Sequence, residues 1–552
     1  MPTVNFDKNE FISLLGKAVD DQILSDRISM IGTDLEKIDS EIVVEIFPDR
    51  PDLLSIEGFT SALKGFMGIE KGPIDFKVHK PIYEGRVDSK VKSVRPFAVG
   101  AIVKGIKFDD DTIRSLMQIQ EKLHITHGRN RKKVAIGVHD LDKIKFPIKY
   151  TTMPRDFSFI PLEFDKNLTI DEILKMHPKG IAYAHLLSEF KECPIWIDDN
   201  AQVLSMPPII NSDYTKVTEK TKNLFLDITG THRKSIEYAL NIILMGLFIR
   251  GAEICPLKLT DEGKDLIYPN LNRERLELDL SYSNKILGLN LSETETADLL
   301  MKMRYGIASK SKDKIIVEIP PYRADILHPI DLVEDISIAY GFENFIPEIP
   351  KIATIGQENS IEVFIRKMEE VMIGFNFFEV KNYILSNEDV LITKMLDNKR
   401  KLVKTRNAVN TEFDTVRSSL LPLLIKTLVS NSHHEYPQNI FEIGIVVPDQ
   451  NLIEKQHLSC AICHPKSNFS EIKGVFNGLC SSFGLQYSVK EEEYPYFIEG
   501  RSCALEIDGS NIGKMGELNP EVLYNFKLEM PVSAFEIDLS ALFALFKEKI
   551  QG

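Results

Sequence analysis

The pattern of apolar positions along the chain divides it into four segments. The first covers about residues 1–75. Asp7 with Glu10 fits a capping box before a short helix over 11–15, which Gly16 can end. Residues 41–47 alternate and then turn apolar, as a half-buried strand does. Pro48-Asp-Arg-Pro-Asp52 reads as a turn and 53–66 as a helix. The second segment, 93–258, mixes strand patterns at 97–103, 134–138 and 224–228 with helical ones at 112–123 and 235–247, the latter behind a Ser cap at Ser235. A polar linker over 260–269 leads to a third segment, 268–350. It shows a strand near 276–280, a helix near 293–303, a strand at 314–319 and a helix at 330–340. The fourth, 352–552, opens on Ile361, Phe364, Ile365, Met368, Val371, Met372 and Phe375 at helical spacing. Apolar strands follow at 377–383, 440–447, 458–462 and 502–507. The succession predicts a multidomain α+β protein whose last domain is built on an antiparallel sheet.

Composition narrows the class. The chain has 552 residues, 43% hydrophobic and 27% charged, enough for several folded domains. Its most apolar stretch, 238–249, is shorter than the ~20 residues a spanning helix needs, so a buried helix and no membrane span are expected. The first ten residues carry Asp7, Lys8 and Glu10 and lack a secretory pattern. Six cysteines imply a reducing compartment rather than a disulfide framework. A net charge of −14 argues against a polyanion binder on average, though averages hide local patches.

Three constellations carry candidate chemistry. In Tyr322-Arg-Ala-Asp-Ile-Leu-His-Pro-Ile-Asp-Leu-Val-Glu-Asp335, Asp331, Glu334 and Asp335 share one helix face and Asp325 lies on the loop before it. Four converging carboxylates would suit Mg²⁺; acids in a first helical turn are also favoured by the dipole alone. In 127–140, Arg129, Arg131, Lys132 and Lys133 form the densest positive patch, able to grip phosphates or to sit as a solvated turn. His139-Asp140 behind it reads as a metal or acid–base pair, or His139 as a hydrogen-bonded structural His. Around the diproline Pro207-Pro208, which favours an extended chain, Ser205 and Asn211 flank an apolar run. Asp227 interrupts the apolar strand 224–228 and needs a partner if buried, either a turn or a ligand in a pocket. Cys460-Ala-Ile-Cys463-His464 matches a haem-attachment pattern in letters only, and core cysteines fit it better.

Taken in order, six pieces resemble the beta subunits of phenylalanine–tRNA ligases of the archaeal or eukaryotic cytosolic kind. They are Glu45-Ile-Phe-Pro-Asp-Arg-Pro-Asp-Leu53, the stretch 128–142, Ser205-Met-Pro-Pro-Ile-Ile-Asn211, Phe225-Leu-Asp-Ile-Thr229, Pro321-Tyr-Arg-Ala-Asp325 with its acidic helix, and Gly516-Glu-Leu-Asn-Pro520 with Pro531-Val-Ser-Ala-Phe-Glu536 behind it. The resemblance implies an N-terminal module, an α/β editing domain that hydrolyses mischarged Tyr-tRNA(Phe), a winged-helix-like domain, and a degenerate class II synthetase core. It also implies magnesium ligands at Asp325, Asp331, Glu334 and Asp335, and a cytoplasmic heterotetramer of two alpha and two beta chains acting on tRNA(Phe). ATP and phenylalanine would bind the alpha subunit. The bacterial family's appended tRNA-binding domains are not expected here. Ser205, Asn211 and Asp227 would line the editing pocket, with Arg129, Arg131, Lys132 and Lys133 guiding the acceptor end. The local residues agree with lost activation chemistry: beyond Arg406 and Arg417, Arg501 is the one arginine left in the last domain's second half, and Gly516-Glu517-Leu518 lacks one where ATP would want it.

Overall fold

The segment Leu224–Gly230 is apolar except for Asp227 and two small C-terminal residues, and such a run suits a strand with neighbours on both edges. In the computed structural model, which describes residues 2–79 and 83–551, it does lie inside a sheet, between Phe97–Lys104 and Val134–Asp140, antiparallel to both. That mixed ten-stranded sheet continues through Glu253–Asp261 and the parallel strand Tyr83–Val87 to Ile148–Pro154, Glu192–Ile197 and the hairpin Val203–Met206/Ile210–Asn211. The helix Arg233–Ile249 buries its apolar side on the sheet, and Asp110–Ile125 packs beside it. Its cap is not Ser235: the His232 ring accepts from the Ser235 N–H, which puts the start two residues earlier.

Two smaller modules complete the first compact unit, Met1–Ile349. One is a three-stranded antiparallel sheet with Glu41–Glu45 between Thr3–Asp7 and Asp34–Ile38, covered by Lys8–Leu15, Asp21–Met30 and Ile56–Phe66. Asp7 caps its first helix through the Glu10 N–H, and Gly16 ends it at φ 70°. The other sets Lys314–Ile319 between Glu274–Asp279 and Gly306–Lys310, with helices Leu280–Leu287, Glu293–Lys302 and Pro329–Tyr340. A single apolar core runs from Val4 to Ala339 through all three. The linker expected at 260–269 is instead a hairpin, Glu253–Asp261 with Lys264–Tyr268. Glu262 and Gly263 both have positive φ, the two-residue turn that right-twisted strands prefer.

The second unit, Pro350–Gly552, is a seven-stranded sheet, antiparallel except where Phe378–Glu379 joins Gln438–Val446. The strand expected over 377–383 is thus two residues long. Beyond it Asn382 is held by the Glu442 side chain rather than by a ladder. Ser360–Gly374 and Phe469–Ser482 cover Phe535 and Ile537 on one face; Leu421–Ser430 and Pro520–Phe526 cover Val532 and Ala534 on the other. Cys460 and Cys463 are buried strand residues, and all six cysteines are free. Among the described residues no helix is long and apolar enough to cross a membrane.

Within the first unit, Arg304 ties the third module to the first. It donates to the carbonyls of Ser61, Glu70 and Gly72 and to the Ser61 hydroxyl. The helix Ile56–Phe66 approaches so closely there that a Cβ on Gly65 would lie 2.3 Å from the Lys302 carbonyl oxygen. Gly65→Ala should therefore destabilise the first unit by about 1–3 kcal/mol, read as a lower urea midpoint. An unchanged midpoint would show that the seam yields freely.

Candidate functional site

A cavity of about 420 Å³ opens in the first unit between the strand Val134–Asp140, the hairpin 203–211 and the helix Asp110–Ile125. Apolar side chains such as Leu116, Ile136 and Ile209 form much of its wall, and Ser205, Asn211 and Asp227 all reach it. Asp227 is only 1% exposed. Its neighbours across the sheet are Gly100 and Gly137, one on each side. A Cβ at Gly137 would sit 2.4 Å from Asp227 Oδ2, so the glycine is what gives the carboxylate room. Two donors reach that same oxygen: Ser205 Oγ at 2.8 Å and the His139 ring at 2.7 Å. Asn211 lies across the hairpin from Ser205 and donates to the Val138 carbonyl. The diproline expected to run extended is the tight turn of this hairpin, with a cis bond between Pro207 and Pro208.

The opposite wall carries charge. The Ile136 N–H donates 2.8 Å to His124 Nε2, which places the ring hydrogen on Nδ1, facing Glu121. Burial lowers the His124 pKa to about 4, so the ring is neutral at pH 7. The His124 bond, with Arg131 and Lys179 nearby, holds Glu121 below the usual carboxylate range.

The basic patch divides. Arg131 is buried: it donates 2.8 Å to the Ile209 carbonyl, pairs with Glu121 and lies 4.6 Å over the Tyr183 ring. It is thus part of the cavity wall and not free to grip phosphate. Arg129 and Lys132 are exposed and Lys133 half-buried. Their turn has a structural cause. Arg129, Asn130 and Arg131 take φ of 48°, 52° and 64°, which curls the chain back over the preceding helix end. The N–H groups of 128–131 then bond the carbonyls of Leu123, Thr126, Ile125 and His124, the acceptors a helix terminus leaves open. His139 pairs with Asp227 rather than with Asp140, which bonds the Thr221 hydroxyl.

The four carboxylates expected to hold Mg²⁺ do not converge. Arg323, 2% exposed, stands between two of them. It binds Asp325 through two bonds of 2.8 and 2.6 Å and Asp335 through one of 2.8 Å, and Tyr305 adds a bond to Asp335. Burial works against the Asp325 charge, but Arg323 overrides it and keeps the pKa below normal. Asp331 turns back to accept the N–H groups of Leu327 and His328, both at 2.7 Å. Glu334, like Asp331, has no cation beside it, and burial with the charges of Asp335, Asp49, Asp331 and Asp325 raises its pKa. Among the described residues no three His, Cys, Asp or Glu side chains group as metal ligands in this chain. The sequence spacing was right about the helix face, but Arg323, two residues before Asp325, supplies the positive charge. Arg323→Met should cost about 3–5 kcal/mol by leaving the carboxylates of Asp325 and Asp335 without a cation. Chelation should leave the thermal midpoint of the unaltered chain where it was. A chelator-sensitive midpoint would show a bound ion.

Reading by residue type passed over Gly137, Glu121, His124 and Thr215, all of which line the cavity. A glycine inside an apolar strand was the available signal for the first; the others lie on elements whose pairing is not visible along the chain.

Comparison with known proteins agrees with this geometry. Residues 82–243 match a B3/4 domain model, 276–342 a tRNA synthetase B5 domain, and 346–539 the phenylalanyl tRNA synthetase beta chain CLM domain. The chain is 43% identical to the phenylalanine–tRNA ligase beta subunit of Archaeoglobus fulgidus, over 98% of this chain and 99% of that one. It is 40% identical to the corresponding subunit of Methanococcus aeolicus, over 98% and 100%. A crystal structure of an N-terminal fragment of the phenylalanyl-tRNA synthetase beta subunit from Pyrococcus horikoshii superposes with a TM-score of 0.60 at 36% identity, covering 61% of this chain and 99% of the fragment. Similarity that runs the length of both chains, through the strands that carry the cavity, leaves one assignment: the chain belongs to the family of phenylalanine–tRNA ligase beta subunits.

Proposed function

We propose that this chain works as the non-activating beta subunit of a phenylalanine–tRNA ligase and that the cavity at Asp227 clears tyrosyl groups wrongly attached to tRNA(Phe). In this reading it pairs with a catalytic alpha subunit, two of each, in the cytoplasm, where six free thiols are at home. ATP and phenylalanine are bound by the alpha subunit.

The observation that carries the editing role is a buried carboxylate facing a cavity with largely apolar walls. An apolar pocket selecting phenylalanine rejects an added hydroxyl only by roughly a hundredfold. A second site that requires the hydroxyl does better, because phenylalanine would leave its polar groups unpaired. Asp227 supplies an acceptor for that hydroxyl, and the cavity lies in the roughly 300–1,000 Å³ range of small-ligand sites. No side chain is assigned as general base; the vicinal hydroxyl of the terminal ribose is available to position the water. The exposed Arg129 and Lys132, with Lys133, offer charge for the acceptor end.

The non-activating role is supported in the second unit, which we read as a degenerate class II core. Across its sheet Glu442, Ser459, Glu536 and Lys514 form one row. Arg417 binds Glu442 at 2.5 Å. Glu536 accepts from Ser419 and His457 and from the Leu420 and Leu421 N–H groups at the start of the helix Leu421–Ser430. Arg501 pairs with Glu517. Groups that would hold nucleotide are thus spent on one another. The module of 274–340 corresponds to the winged-helix-like domain.

Two measurements test these roles. The chain alone should show no phenylalanine-dependent pyrophosphate exchange; measurable exchange would sink the non-activating role. With the alpha subunit present, Asp227→Ala should leave Phe-tRNA(Phe) synthesis intact and let Tyr-tRNA(Phe) accumulate, with clearance slowed about tenfold or more. Normal clearance by this variant would make Asp227 merely structural.

A further inference from the structure

We infer that His139, through Thr215, is a positioning residue that turns Asp227 Oδ1 toward the ligand; this rests on the editing role proposed for the cavity. His139 is fully buried, stacks on Phe225 at 5.7 Å and does not line the cavity. Its two nitrogens have separate duties. Nε2 lies 2.7 Å from Asp227 Oδ2 and Nδ1 lies 2.7 Å from Thr215 Oγ1. A carboxylate oxygen has no hydrogen to give, so Nε2 must carry one; otherwise two lone pairs would face each other. The Thr215 hydroxyl can donate to Nδ1 and so favours that tautomer.

The consequence falls on Asp227. Ser205 and His139 both donate to Oδ2, and Gly137 leaves space for that arrangement. Both protein donors are therefore placed on the same oxygen. Oδ1 takes neither of them and is the oxygen left to accept a phenolic hydrogen. A second acceptor lone pair on the ring, or its loss, would free the carboxylate to rotate and blur the choice between tyrosyl and phenylalanyl groups.

Two amide replacements separate this role from simple packing. In His139→Gln the terminal amide sits near the Nε2 position and can still donate to Asp227. In His139→Asn the amide sits near the Nδ1 position, keeps Thr215 and loses Asp227. In the full chain with its alpha subunit, His139→Gln should clear Tyr-tRNA(Phe) within about threefold of the parent. His139→Asn should lose about tenfold or more of its preference for Tyr-tRNA(Phe) over Phe-tRNA(Phe), while charging with phenylalanine is unchanged. Equal behaviour of the two variants, whether both normal or both impaired, would overturn the assignment. Calorimetric titration with L-tyrosinamide reads the same contact without hydrolysis: the parent and His139→Gln should bind alike and His139→Asn about tenfold more weakly. If the three proteins bind L-tyrosinamide in this order but the parent clears no Tyr-tRNA(Phe), the editing role fails and the positioning role stands. Indistinguishable binding by all three would remove the positioning role.

Discussion

A carboxylate in the middle of a strand that is bonded on both edges must be paired, and Asp227 sets the conditions its neighbours meet. Its charge cannot be left bare among Leu226, Ile228 and Ile136, because an unpaired buried ion costs more than one domain's usual stability margin allows. Ser205 comes in from the neighbouring hairpin, His139 from the adjacent strand, and glycines stand opposite on both sides. The hairpin is in turn held by Arg131, which bonds its turn carbonyls and is anchored on Glu121. The cavity wall is thus a chain of satisfied polar groups in an otherwise apolar region. That arrangement suits selection of a ligand by one hydroxyl.

The same requirement is solved differently elsewhere. Asp325 and Asp335 share Arg323, and Glu536 takes the open N–H groups at the start of a helix. In both places the carboxylates are satisfied by partners within the chain. At Asp227 the ring of partners stops at a cavity.

Period and punctuation in the sequence were enough to locate the strands around Asp227, which are buried apolar runs, and the helices Ser360–Gly374 and Pro329–Tyr340, which each have one buried face. They also singled out Ser205, Asn211 and Asp227 as polar breaks in apolar runs. What failed had a long-range cause. The 260–269 segment is polar because it is an exposed edge strand, which looks like a linker when its partner is unknown. Arg131 looked like its basic neighbours until a cavity wall 77 residues away claimed it. The acidic face of 325–335 gave no sign of Arg323 because spacing along a helix carries no information on whether an arginine folds over it.

The role given to Asp227 can be checked most directly by a crystal structure of the chain with a tyrosyl-adenosine analogue joined by a stable amide. The phenolic oxygen should lie about 2.5–3.0 Å from Asp227 Oδ1, with Ser205 and His139 still on Oδ2. A tyrosyl ring bound with its hydroxyl directed away from Asp227, or the phenylalanyl analogue bound with equal affinity in the same pose, would contradict it.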